Sequence, residues 1–88
     1  MNALFHGHVQ GVGFRFTTVE VARDFELTGY VMNTMDGSVR VVAEALEEDL
    51  LKFLEQIRAA HIYRYVVKED LNWSNATGEF SGFTIKYS

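Results

Sequence analysis

The spacing of apolar and polar positions changes period several times along the chain. Residues from about Leu4 to Val9 alternate weakly, which predicts a first strand. A glycine-rich turn from Gly7 to Gly13 interrupts that rhythm. From Phe14 to Phe25 the pattern becomes helical: Val19, Ala22 and Phe25 share a stripe while Arg23 and Asp24 face outward. Gly29 is expected to break this helix, and Tyr30–Met32 to form a short second strand. Asn33-Thr34-Met35-Asp36-Gly37-Ser38 has turn chemistry, sharpest at Asp36-Gly37. Val39–Ala45 is apolar and β-branched, a third strand returning as a hairpin on the second.

Glu47, Glu48 and Asp49 then place negative charge where a second helix would begin, the end its dipole favours for acids. Leu50, Leu51, Leu54 and Ile57 form the apolar stripe predicted for it, with Lys52, Glu55 and Arg58 opposite. Ile62–Lys68, rich in Tyr and Val, predicts a fourth strand, and Asp70–Glu79 a polar loop. Phe83, Ile85 and Tyr87 alternate in a last strand. The order βαββαβ predicts an α+β, ferredoxin-like sandwich: a mostly antiparallel sheet with both helices on one face.

Composition adds limits to this plan. Eighty-eight residues, 48% of them hydrophobic, suffice for one core, so residues 1–88 are expected to form a single domain. The absence of cysteine excludes disulfides, a thiol nucleophile and thiolate metal sites. No apolar run approaches the roughly 18 residues of a membrane span. The start of the chain lacks the basic-then-apolar pattern of a leader, so a soluble, cytoplasmic protein is expected. A net charge of −4 opposes broad attraction to nucleic acid or anionic membranes. It leaves room for one small phosphorylated anion, which needs only a local cluster of donors. With no unpaired apolar surface pattern in view, a monomer is the expectation.

The candidate chemistry sits in Gly7-His8-Val9-Gln10-Gly11-Val12-Gly13-Phe14-Arg15. Glycines at the entrance to a helix let successive backbone N–H groups converge on an anion, and the helix dipole adds to the attraction. Arg15 in the first turn offers a planar fork for two phosphate oxygens. On spacing alone the segment is either such a cradle or an ordinary turn. It is not a Walker A loop, since no Gly-Lys-Ser/Thr follows, nor a dinucleotide fingerprint, since Phe16 stands where a third glycine would be needed.

Other groups are weaker. His6 and His8 share a strand face, but two imidazoles without a third ligand do not make a metal site. Thr17 with Glu20 matches a capping box yet falls inside a helix that already starts near Phe14. RNA-recognition modules share the βαββαβ order, and Tyr63, Tyr65 and Trp73 could be stacking platforms. The glycine-aromatic signature of those modules is missing and the net charge has the wrong sign, so these rings read as core and edge packing.

The loop segment resembles the first acylphosphatase signature, Gly-x-Val-Gln-Gly-Val-x-Phe-Arg. Gly29-Tyr30-Val31-Met32-Asn33-Thr34-Met35-Asp36-Gly37-Ser38-Val39 resembles the second, Gly-aromatic-Val-x-Asn-x-x-x-Gly-x-Val, and Gly82–Tyr87 is similar to the family's last strand. The likeness runs from about Phe5 to the end. It implies hydrolysis of the carboxyl–phosphate bond of small acyl phosphates without metal or organic cofactor. By this resemblance, His8, Val9, Gln10, Gly11, Val12, Gly13 and Phe14 lend backbone amides to the phosphate, Arg15 binds it, and Asn33 holds the attacking water. A non-enzymatic accessory domain binding acyl or carbamoyl phosphate is the alternative. The chain departs from the pattern at Phe5, where a smaller aliphatic is usual, and at Ala45, in place of a glycine. It also lacks a proline in Ala59-Ala60-His61-Ile62. These departures bear on packing and stability more than on chemistry.

Overall fold

A computed structural model describes residues 1–87. Strand β1 (Asn2–Gly7) leads to helix α1 (Phe14–Ala22), then to the hairpin β2 (Thr28–Asn33) and β3 (Val39–Glu44). Helix α2 (Glu47–Ala59), a 3₁₀ turn (His61–Tyr65), β4 (Val66–Asn72) and β5 (Phe83–Ile85) complete the chain. The sheet order is β4-β1-β3-β2-β5, antiparallel except where β5 runs parallel to β2.

Strict alternation sends one side of each central strand into the core. Ala3 and Phe5 of β1, Val31 of β2, and Val39, Val41 and Ala43 of β3 are fully buried. The helices close over them with Phe14, Thr18 and Ala22 from α1 and Leu50, Phe53, Leu54 and Ile57 from α2. Thr18 is tolerated there because its hydroxyl donates to the Phe14 carbonyl at 2.8 Å. The oversized Phe5 finds room by tilting against Phe14, ring centroids 5.2 Å apart, with Tyr63 edge-on at 6.4 Å.

The structure corrects several boundaries. β1 ends at Gly7, and Val9 is buried as part of the following loop. α1 stops at Ala22 rather than Phe25, because the amides of Asp24 and Phe25 turn back to carbonyls only three residues earlier. Phe25 still serves the core, edge-on to Phe53 at 6.2 Å. Gly29 breaks no helix; it lies inside β2 at φ 142, where a Cβ would sit 1.9 Å from the Val42 carbonyl oxygen. In α2 the buried stripe is 50, 53, 54 and 57, so Phe53 replaces Leu51, which is half exposed.

The predicted fourth strand is displaced. Ile62–Tyr65 forms the 3₁₀ turn that carries the chain from α2 down to the sheet, and pairing with β1 begins only at Val66. β4 reads as polar because it is an edge strand, where charges discourage further pairing. Its Glu69 is held by the Arg58 guanidinium and by the Tyr63 hydroxyl at 2.9 Å. The Arg58 hydrogen bonds, ahead of Tyr63, keep the Glu69 carboxyl below its ordinary pKa. Past β4, Glu44 pins the long connection by accepting from the Thr77 amide (2.8 Å), the Thr77 hydroxyl (2.9 Å) and the Gly78 amide (3.0 Å). The last strand is short, and Tyr87 lies beyond it, largely exposed.

Candidate active site

The two helices begin in electrostatically opposite ways. α2 carries Glu47, Glu48 and Asp49 in its first turn, so its positive end is already met by acids. α1 has no acid there and no side-chain cap; its N-cap is Gly13, in the left-handed region at φ 82. A glycine suits that conformation because a Cβ would strain it. The first amides of α1, at Phe14, Arg15 and Phe16, therefore have neither an intrahelical acceptor nor a capping oxygen. This end of the molecule keeps the positive end of its helix dipole unmatched, and the Arg15 guanidinium adds a full positive charge to it.

Across from it stands the end of β2. Alternation from Gly29 through Val31 puts Asn33 on the helix-facing side of the sheet, one step past the core. Val9, Gly11, Gly13, Phe14, Arg15, Phe16, Asn33 and Ile85 line one pocket of about 120 Å³. That is well below the roughly 300 Å³ at which pockets for drug-sized ligands begin. Asn33 Oδ1 is buried and, among the described residues, without a hydrogen-bond partner. An orphaned buried acceptor is costly and calls for a functional explanation. The Arg15 guanidinium lies over the Tyr87 ring, 5.3 Å from its centroid.

Of the residues singled out by sequence, the pocket gathers Val9, Gly11, Gly13, Phe14, Arg15 and Asn33. His8 lies outside it, its amide committed to the Tyr65 carbonyl at 3.1 Å, and Gln10 and Val12 do not line it either. Phe16 and Ile85 line it without having been singled out. Ile85 arrives through parallel pairing, opposite Val31 of β2. No local pattern in the chain announces that contact. His6 bonds Asp70 at 3.0 Å on the sheet's other face. A depression of about 390 Å³ beside Tyr30, Glu44 and Lys86 is larger, but no helix start opens into it.

The turn after Asn33 is organised around the exposed Asp36. Its Oδ1 accepts from the Thr34 hydroxyl, the Ser38 amide (3.0 Å) and the Ser38 hydroxyl (2.6 Å). The Ser38 hydroxyl first, then the Thr34 hydroxyl, holds the Asp36 carboxyl far below its ordinary value of 3.8. A carboxyl depressed on folding stabilises the fold above its unfolded pKa and stops doing so as pH falls through the folded one. Urea midpoints of wild type and Asp36→Ala are thus expected to differ most near pH 6, to begin narrowing as pH falls below the ordinary value of 3.8, and to converge only once the depressed folded value is passed. A gap of constant size across that range would show that the charge contributes nothing.

Comparisons with known proteins bear on the family and the fold. The family model described as Acylphosphatase matches residues 1–85. An acylphosphatase of Nocardia farcinica is 41% identical over 83 residues, covering 94% of this chain and 83% of that one. One from Lactobacillus gasseri is 42% identical over 82 residues, 92% of this chain and 90% of its own. The crystal structure of acylphosphatase from Bacillus subtilis superposes with a TM-score of 0.88 at 31% identity, covering 98% of this chain and 96% of that one. The chain also matches T. kodakarensis HypF at TM-score 0.77 and 29% identity, spanning 12% of that longer protein. A family match over nearly the whole sequence, relatives about as long as the chain itself and a shared fold all lead to one assignment: the chain belongs to the acylphosphatase family.

Proposed function

We propose that the chain hydrolyses acyl phosphates in the pocket between the start of α1 and the end of β2, releasing a carboxylate and inorganic phosphate. The observation that carries this reading is the shared pocket: an uncapped helix start and a guanidinium on one side, an unpartnered buried carboxamide oxygen on the other. Family membership supports the same chemistry.

An acyl phosphate is a mixed anhydride with a good leaving group, so no covalent nucleophile is needed. Phosphoryl transfer leaves a protein mainly positioning and charge stabilisation to perform. The α1 amides and Arg15 hold the phosphoryl oxygens and meet the charge that builds on them. Asn33 is neutral and no strong base, but its carboxamide both donates and accepts, and so fixes a water in line with the scissile bond. The water oxygen bonds to phosphorus as the P–O bond to the acyl group breaks. The bonding pair leaves with the carboxylate, and the water's proton passes to a phosphoryl oxygen of the substrate. The enzyme acts as a monomer in this reading, its exposed apolar side chains, Phe16, Met35, Leu51 and Val67 among them, coming from different elements of the fold.

Benzoyl phosphate tests the proposal. Turnover is expected with a chelator present and at an unchanged rate; failure to hydrolyse both benzoyl and acetyl phosphate would end it. Because the chain also matches a small part of the much longer HypF, a second reading is an accessory domain that binds acyl or carbamoyl phosphate without turnover. The same assay separates the two, since such a module would bind inorganic phosphate and leave the mixed anhydride intact.

A further inference from the structure

Gln10 belongs to the loop but does not line the pocket, and its side chain points to work of another kind. Its Nε2 donates to the Thr34 carbonyl at 2.8 Å and to the Ser38 carbonyl at 2.9 Å. A carboxamide nitrogen has two hydrogens, so both are committed. The two carbonyls belong to the residues just beyond the Asn33–Val39 pair, one at each end of the turn that joins β2 to β3. Gln10 thus bridges the hairpin at the first step past Asn33.

Few other hydrogen bonds join these parts. β1, which leads into the loop, is separated from β2 by β3. Among the described residues, the hydrogen bonds between residues 8–13 and the β2–β3 turn are these two. The loop's other anchors run elsewhere, from His8 to Tyr65 and from Gly13 to Thr17. Beyond the apolar packing of α1 on the sheet, one face of the reaction, the amides and Arg15, is therefore tied to the other, Asn33, by the hydrogen bonds of a single side chain.

We propose that Gln10 is a positioning residue: its carboxamide sets the separation between the phosphate cradle with Arg15 and the Asn33 side chain. The proposal rests on the reading of Asn33 as the group that orients water. It predicts a division of effects. Phosphate binding depends on the loop and α1 alone, whereas in-line attack depends on both sides being in register, and small misplacements of reacting groups are costly.

The test compares wild type with Gln10→Met, which keeps length and bulk but loses both donors. Gln10→Asn, a shorter carboxamide, serves as the second variant should the first not fold. Circular dichroism fixes an assay temperature at which each protein is fully folded. The expected result is a kcat for benzoyl phosphate lower by about 10- to 100-fold, with the inhibition constant of inorganic phosphate within about twofold of wild type. The Asn33 side-chain NH₂ resonance is expected to move or broaden in the variant. A kcat within about twofold of wild type, or equal losses in kcat and phosphate affinity, would overturn the role. If wild type itself turns over neither benzoyl nor acetyl phosphate, the hydrolysis reading falls. The strap is then judged by the Asn33 resonance alone, and an unmoved resonance overturns it.

Discussion

Arg15→Ala is expected to weaken inorganic phosphate binding by about 100-fold or more, with kcat/KM for benzoyl phosphate falling at least as far. A hydrogen bond to a charged group contributes roughly 1.5–3 kcal/mol, and a guanidinium fork can make two of them. At about 1.4 kcal/mol per factor of ten, losing both spans two orders of magnitude or more. The developing charge in the transition state adds to the loss in turnover. Arg15 is only half buried and its ring contact with Tyr87 is peripheral, so the fold should survive the change. Arg15→Lys is expected to restore part of the affinity, because a point charge remains while the planar fork is lost. Titration calorimetry with phosphate checks both variants. Unchanged affinity in Arg15→Ala would remove the guanidinium from the site.

Asn33→Ala is expected to do the reverse: phosphate affinity within about threefold of wild type and kcat lower by about 10²- to 10³-fold, the range seen when one preorganised hydrogen-bonding group is deleted. This substitution has a second signature. Asn33 Oδ1 has no hydrogen-bond partner among the described residues, so deleting it breaks no hydrogen bond within the protein. The variant should therefore unfold at about the same urea concentration as wild type. Lower activity with undiminished stability is the mark of a group kept for chemistry. Near-normal turnover in Asn33→Ala would assign the water to something else.

The two sides of the site differ in how readable they are from the chain. The uncapped start of α1 is legible because glycine at the N-cap, the missing acid and Arg15 are all local features. Asn33 is legible as a strand end beside an Asp-Gly turn, but its partnership with Arg15 came from the resemblance to family signatures and not from spacing. Ile85 was hidden because parallel pairing of β5 with β2 joins residues 54 positions apart, Val31 with Ile85. The side-chain work of Gln10 was hidden for a similar reason, its acceptors lying 24 and 28 residues away.

The fold shows the same division. Hairpin β2–β3 follows from alternation and a strong turn, both short-range. The displaced β4 does not: Ile62–Tyr65 is apolar and aromatic enough for a strand, and only the need to descend from α2 to the sheet edge makes it a 3₁₀ turn. In α2, Leu51 and Phe53 are both apolar, and strict helical geometry decides which of them is buried.

The unequal starts of the two helices have a thermodynamic corollary. α2 completes its own charge from within the chain, whereas α1 leaves that completion to a guest. Any anion that docks there adds its binding free energy to the folded state and none to the unfolded one, so melting temperature becomes a function of phosphate concentration. On the proposed reading the product of the reaction doubles as a conformational buttress, and the chain is at its most fragile when its site is idle.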